Sequence, residues 1–422
     1  MQRESSPDHV SPNLELAPPV DLASPDDWQH DHRAIATRLD LCHFEDTAPG
    51  MVFWHPRGWA LVRRLEAAVR AHVEAGGYHE VRSPQLVRRA VWERSGHWDA
   101  FRDSMFVSGD ADDPSALKPV SCPGHIAIVK RSYPALCARD LPIRLAEFGL
   151  VHRAEASGAL QGLLRLRQFT QDDGHIFCTD DQIEAEIAAF CRDLPAFYRK
   201  LGFDELTFAL SLRPDNRLGD DAWWDRAESM LAAAVERLGW ACELQPGAGA
   251  IYGPKLELSL RDRRGRAWQC GTIQLDFVMP QRFDVRYTGD AGESRHVVML
   301  HRALFGSIER FLGILLEHHG GSLPAWLAPD QIAVLPVGPA HADRAREVRQ
   351  ALAAAGMRAR LDDDATLSRR ILRAHQDGIP FAIVIGDREL TDGSLAIRSG
   401  ERRWSAPVAD ALAELQRACT MP

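Results

Sequence analysis

The sequence has no uninterrupted apolar run of the ~20 residues needed to span a bilayer, which excludes an ordinary helical membrane protein. Its first stretch, MQRESSPDHVSPNLELAPPVDLASPDD, lacks the basic segment and apolar core of a secretory signal. Pro, Ser and Asp dominate there, and residues 1–30 read as a disordered leader. The eight cysteines form no CxxC pair and no even framework, which points to reduced thiols in a cytoplasm. Bulk positive charge is missing too: 50 Lys and Arg stand against 59 Asp and Glu, a net charge of −9. That excludes a generally basic nucleic-acid coat but leaves room for local phosphate-binding patches. No internal repeat is visible.

What is present is ordinary for a soluble globular protein: 45% hydrophobic and 26% charged residues. At 422 residues, two or three domains are expected. GWALVRRLEAAVRAHVEA (58–75) carries Leu61, Leu65, Val69 and Val73 at helical spacing and ends at a Gly pair. YHEVRSPQLV (78–87) reads as a short strand ending near Pro84, and a helical pattern follows around PGHIAIVKRSYPAL. DQIEAEIAAFCRDLPAFYRKL (181–201) reads as a helix whose acidic start suits its positive end. HRALFGSIERFLGILLEHHGG (301–321) reads as a further helix. After the Pro-rich SLPAWLAPDQ, the runs IAVLPVG and FAIVIGD look like buried parallel strands alternating with helices. Residues 330–422 are therefore expected to form a separate small α/β domain.

The unusual stretch is LRLRQFTQDDGHIF (164–177). Read with period two, one face carries Arg165, Arg167, Phe169, Gln171, Asp173 and His175. Such a face either meets solvent or meets a ligand with anionic and polar parts. Arginine suits phosphate, an aromatic face suits a flat ring, and Asp with His suits a metal or polar small molecule. Two later strands share the pattern. Ile273, Leu275 and Phe277 oppose Cys270, Thr272, Gln274 and Asp276; Leu256, Leu258 and Leu260 oppose Lys255, Glu257 and Ser259. Three such strands predict one sheet, with helices on its apolar side and a cleft on its polar side.

From about Asp31 onward the chain resembles threonyl-tRNA synthetases, of class II. DHRAIATRLDLCHF, APGMVFWHPRGW, WERSGHWDAF, KPVSCPGH, LPIRLAEFGLVHRAEASGALQGLLRLRQFTQDDGHIFCT, YGPKLEL, WQCGTIQLDFVMP and HRALFGSIERFLGILLE carry the resemblance, in family order. Prolyl- and seryl-type relatives do not share the SCPGH, QDDGHIF and LHRALFGS set. The implied fold is α+β: an antiparallel sheet flanked by helices over residues 31–325, then an anticodon-binding-type α/β domain. The family's small N-terminal module and editing domain have no counterpart, so activation of threonine without editing in cis is expected.

The resemblance implies roles residue by residue. Arg153 would contact the α-phosphate of ATP and the amino acid carboxylate. Glu155, Arg165, Phe169 and Gln269 would complete the ATP site, Phe169 by stacking on adenine, and Arg310 would close over the adenine and γ-phosphate. Lys255 is placed with the catalytic residues. Cys122, His175 and His301 match the family's zinc ligands, and Mg2+ would accompany ATP. Gln171, Asp173, Tyr252, Cys270 and Gln274 would line the amino acid pocket. Glu389 and Arg398 match residues that read anticodon bases. A homodimer is implied, with the segment around Pro84 at its interface. The expected partners are ATP, L-threonine and a threonine tRNA.

The sequence also departs from the family. Ser121 replaces the usual Asn before Cys122, and Ala154 the Asn before Glu155. DATLSRRILR (364–373) replaces a segment that contacts the anticodon, with Ala365 where Asn is usual. Two other readings follow: a threonine-activating enzyme that loads a carrier protein or small molecule, and an inactive regulatory paralogue.

Overall fold

The computed structural model describes residues 30–110, 112–261 and 265–421. The expected leader thus lies outside the described residues except for its last position. The larger sheet contains β1 (His79–Glu80), β2 (Ile143–His152), β3 (Gln168–Cys178), β4 (Thr207–Ser211), β5 (Cys242–Gln245), β6 (Lys255–Arg261), β7 (Ala267–Asp276) and β8 (Val298–Ala303). Its order is β5-β4-β6-β7-β8-β3-β2-β1. All pairs are antiparallel except the two at the edges, β4–β5 and β1–β2. Around it stand α1 (His32–Arg38), α2 (Pro56–Ala75), α3 (Cys122–Ser132), α4 (Ile183–Arg199), α5 (Asp221–Leu238) and α6 (Ile308–His319).

Each element follows from its residues. α2 begins with Pro at a position where its missing N–H costs nothing, and buries Leu61, Leu65, Val69 and Val73. It ends at Gly76, and Gly77 turns away at φ +74°. The ladder between β2 and β3 runs from Ile143 opposite Phe177 to His152 opposite Gln168. On β3, Ile176 and Cys178 enter the main core, which also holds Leu256, Leu258, Leu260, Ile273 and Leu275 with residues of α2, α4 and α6. Phe177 points the other way, into a smaller cluster with Cys122, Ile126, Val129 and Met299 beneath α3. The expected shared sheet is present, with apolar side chains of β3, β6 and β7 in the main core.

Three expectations need correction. The stretch at 164–177 becomes strand only at Gln168; Gly162–Leu164 form a 3-10 turn, and Leu163, Leu164 and Leu166 are buried. Residues 301–303 are strand, not helix, because they pair with both β7 and β3. The helix starts at Ile308, where Ser307 Oγ accepts the Arg310 N–H at 3.1 Å. The segment 78–87 splits at Pro84: its start pairs with β2, while Leu86–Arg88 joins a three-stranded sheet with Val107–Ser108 and Ser115–Leu117. Finally, β4, α5 and β5 were not anticipated from the hydrophobic pattern.

Residues 332–407 form a second sheet from β9 (Ile332–Pro336), β10 (Ala359–Leu361), β11 (Phe381–Ile385), β12 (Ser394–Ser399) and β13 (Arg402–Pro407), in the order β10-β9-β11-β12-β13. β9 pairs in parallel with β10 and β11, as the apolar runs suggested; the antiparallel pair β12–β13 was not foreseen. Its helices are α7 (Ala342–Ala354), α8 (Leu367–Gln376) and α9 (Val408–Cys419). No helix among the described residues is long and apolar enough to cross a membrane. The eight cysteines are free thiols.

Candidate active site

The strand register of the large sheet brings distant residues together. His175 on β3 lies directly opposite His301 on β8, with Nε2 and Nδ1 3.0 Å apart. Cys122, at the first turn of α3, joins them; the three ligand atoms all lie within 4.8 Å of one another and all three residues are buried.

The hydrogen bonds behind the imidazoles fix how they face this point. His301 Nε2 donates to Asp276 Oδ2 at 2.8 Å, while Asp276 Oδ1 accepts the Val278 and Met279 N–H groups. His175 Nδ1 is 2.8 Å from His125 Nδ1, and His125 Nε2 is 3.0 Å from Glu147 Oε2. Facing a carboxylate, His125 carries its proton on Nε2, so its Nδ1 accepts from His175. Both His175 Nε2 and His301 Nδ1 are thereby left as lone pairs aimed at one place beside a thiol. Two such nitrogens 3.0 Å apart beside a thiol can share a cation, and one thiol with two imidazoles suits Zn2+.

Electrostatics agree. Burial holds the His175 imidazole well below its usual range, so it stays neutral, the form that ligates a metal. Burial, reinforced by Asp173 and Asp276, pushes the Cys122 thiol up, so a thiolate here requires a neighbouring cation. Glu147 is held down to about 2: burial opposes its charge, but bonds from His125, Lys118 and Ser83 outweigh that. Lys118 Nζ lies 2.7 Å from Glu147 Oε1, and the Ser83 N–H and hydroxyl both reach the same carboxylate. Lys118, Ser83, His125 and Glu147 were missed in the sequence, and Asp276 was read only as part of the polar face of β7. Only SCPGH hinted at His125, one helical turn after Cys122.

A second group with a ligand-like arrangement, Asp31, His32 and Glu317, is buried elsewhere. There both ring nitrogens are engaged, Nδ1 with Glu317 Oε1 at 2.7 Å and Nε2 with the Leu163 N–H at 3.1 Å. It is a satisfied hydrogen-bond cluster, not a cation site.

The Cys–His–His group borders other polar residues of the sheet. Asp173 Oδ1 is 3.7 Å from His175 Nε2, and burial raises its carboxyl. Tyr252 stacks on His301, centroids 4.8 Å apart, and its hydroxyl reaches Gln274 Oε1 at 3.0 Å. From Gln274 a cleft continues past Gln171, Cys270, Thr272 and Lys255 to Gln269, Phe169, Arg153, Glu155, Arg165 and Arg310. All the expected ATP residues line this cleft. Lys255 is ion-paired with Glu257, which also accepts from Ser211 and Gln269.

The far end is cationic. Arg165 pairs with Glu155 at 2.8 Å, but among the described residues neither Arg153 nor Arg310 forms an ion pair. Arg153 sits over the Phe169 ring, 5.2 Å from its centroid, and Arg310 Nε donates to the Leu164 carbonyl at 2.9 Å. Burial lowers the proton affinity of both guanidiniums, and Arg153 and Arg165 add repulsion at Arg310. Such a group is completed by an anion. Asp172, on the opposite side of β3, accepts the N–H groups of Leu304, Phe305 and Gly306, and so fixes the turn that presents Arg310.

Ser121 is buried, and its hydroxyl has no hydrogen-bond partner among the described residues. In the second domain Glu389 caps its own helix, accepting the Gly386 N–H at 2.8 Å, and Arg398 lies on β12 opposite Ala382. No hydrogen bond or ion pair joins the two among the described residues. Ala365 has φ +78°, a left-handed conformation that Asn tolerates better than Ala.

Known proteins share this architecture. Residues 106–319 match the tRNA synthetase class II core domain (G, H, P, S and T), and residues 331–417 match an anticodon binding domain. Proteins named threonine--tRNA ligase from Halorhodospira halophila and Leptothrix cholodnii are 49% and 46% identical over 371 and 372 residues. Each alignment covers 88% of this chain, and the chain spans 58% of each relative's length. A crystal structure described as the RNA binding domain of threonyl-tRNA synthetase from Cryptosporidium parvum superposes with TM-score 0.89 at 36% identity, covering 93% of this chain and 99% of that one. The chain belongs to the threonyl-tRNA synthetase family, with a class II core followed by an anticodon-binding domain.

Proposed function

We propose that this chain activates L-threonine with ATP, forming threonyl-adenylate, and transfers threonine to its tRNA. The observation that carries the reading is a buried Cys–His–His group linked through Tyr252, which stacks on His301 and bonds Gln274, to a cleft whose far end holds Arg153 and Arg310, neither of them ion-paired among the described residues. Two anionic groups, a carboxylate and the α-phosphate, must meet for adenylate to form. Arg153 would offset their repulsion, and Arg165 and Arg310 would hold the outer phosphates as pyrophosphate leaves. Phe169 would stack on adenine, with Glu155 and Gln269 completing that end; Mg2+ would accompany ATP.

Cys122, His175 and His301 would hold Zn2+, which when bound supplies a Lewis-acid grip on an amino and a hydroxyl group. Asp173 would accept a hydrogen bond from the same hydroxyl, while Tyr252, Gln171, Cys270 and Gln274 shape the pocket. Valine, isosteric but lacking the oxygen, would leave a buried polar site unpaired and be rejected. The protein is proposed to act as a cytoplasmic homodimer.

A second reading, transfer to a carrier protein or small molecule, draws on Glu389, whose carboxylate is engaged in its own helix cap. The intact metal and arginine sets weigh against an inactive paralogue. Threonine-dependent ATP–pyrophosphate exchange alongside charging of threonine tRNA tests both. Exchange with charging supports the first reading, exchange without charging the second, and no exchange refutes both.

A further inference from the structure

His32 lies outside the cleft, at the start of α1, yet it touches the backbone that carries the phosphate-binding arginines. Its Nε2 accepts the Leu163 N–H at 3.1 Å. The carbonyl of the next residue, Leu164, accepts from Arg310 Nε at 2.9 Å. One dipeptide is thus held at its N–H by His32 and at its C=O by Arg310. The other ring nitrogen of His32 meets Glu317 Oε1 at 2.7 Å on α6, the helix that also carries Arg310.

Arg310, Gly313 and Glu317 are three and seven residues apart, which places them on one stripe of α6. That stripe faces the Leu163–Leu164 turn: a Cβ at Gly313 would stand 2.9 Å from Leu164 Cδ2 and 3.2 Å from Leu163 Cβ. Gly162, at φ +50°, passes so near that a Cβ would stand 2.3 Å from His32 Nε2. Arg165 follows this turn directly, with its carbonyl accepting the Gln161 N–H at 3.2 Å. His32 is 1% exposed, so the bridge is shielded from competing water.

Resting on the function proposed above, we infer that His32 is a positioning residue for the ATP-phosphate end of the cleft, bridging the Leu163–Leu164 turn to the helix that bears Arg310. A merely structural histidine would affect folding without regard to substrate. A positioning one affects ATP selectively, because threonine binds at the other end of the cleft.

The two contacts can be separated in the whole chain. His32→Asn keeps a donor near the Nδ1 position and loses the acceptor at Nε2, whereas His32→Gln keeps an acceptor near Nε2. In pyrophosphate exchange, His32→Asn is expected to raise KM for ATP roughly tenfold, the effect of one lost hydrogen bond. KM for threonine should not change, and His32→Gln should stay within about threefold of the parent for ATP. Gly162→Ala, which crowds Nε2, should shift KM for ATP in the same direction as His32→Asn. ATP binding without amino acid is measured in parallel and should rank the proteins in the same order. Equal ATP affinity in all of them overturns the inference, as does an equal rise in KM for threonine or a change confined to melting temperature. If the parent binds ATP without exchanging it, the proposed function fails, and the ATP affinities still decide the role of His32.

Discussion

His175 and His301 face each other across neighbouring antiparallel strands, with Nε2 of the first 3.0 Å from Nδ1 of the second. Each ring is backed by a different acceptor, His125 and Asp276. The strand register brings the pair together, and the outer hydrogen bonds choose which nitrogen each presents.

That arrangement predicts that metal affinity depends on residues which do not touch the metal. His125→Ala removes the acceptor behind His175, and zinc affinity should fall about 10–100-fold. Competition with a chelator of known affinity measures it. An unchanged affinity would show that His175 is oriented by packing alone.

Glu147 is the anion that satisfies buried Lys118. Glu147→Gln should destabilise the metal-free protein by about 3–5 kcal/mol, the cost of stranding a buried charge. The contribution has a pH signature. Because the folded-state pKa is depressed to about 2 from an ordinary 4.5, the stabilisation is present above pH 4.5 and lost as pH falls toward 2. Denaturant titrations of the two proteins from neutral pH to pH 3 should converge on acidification. A constant gap would place the effect in packing instead.

Much of this was legible in the residues and some was not. The polar side of β3, with Phe169, Gln171, Asp173 and His175, could be read with period two because β6 and β7 show the same alternation of polar and apolar faces. The helix pattern of 308–315 was equally clear, but it was extended back over His301–Ala303. Leu300, Leu304 and Ile308 repeat every four residues and mimic a helical stripe, whereas Gly306 at φ +74° followed by the Ser307 cap marks the true start. Whether His301 meets His175 depends on a pairing between strands far apart in the chain, and no local signal encodes it. The resemblance to the family supplied that pair. It said nothing of Glu147, Lys118 or His32, whose roles depend on burial and on hydrogen bonds to distant backbone.

Ala365 adopts φ +78° just before α8. Left-handed backbone costs a residue with a Cβ about 1–2 kcal/mol, less for Asn. Ala365→Asn should therefore stabilise the C-terminal domain by about 0.5–1 kcal/mol, read as a higher denaturant midpoint. A lower midpoint would mean that Ala365 is favoured there by packing.

Serine offers the same amino and hydroxyl groups as threonine and lacks one methyl. Such a difference is worth only about 1–3 kcal/mol, or roughly 10–200-fold. The chain should activate serine measurably while excluding valine. Valine-dependent pyrophosphate exchange as fast as serine-dependent exchange would contradict this.

The central claim is that the Cys122, His175 and His301 group binds zinc and that threonine activation depends on it. The most direct test combines metal analysis with threonine-dependent pyrophosphate exchange on the parent protein and on Cys122→Ser. The account predicts about one zinc per parent chain, none on the variant, and loss of exchange with the metal. A zinc-free Cys122→Ser protein that exchanges at the parent rate would contradict it.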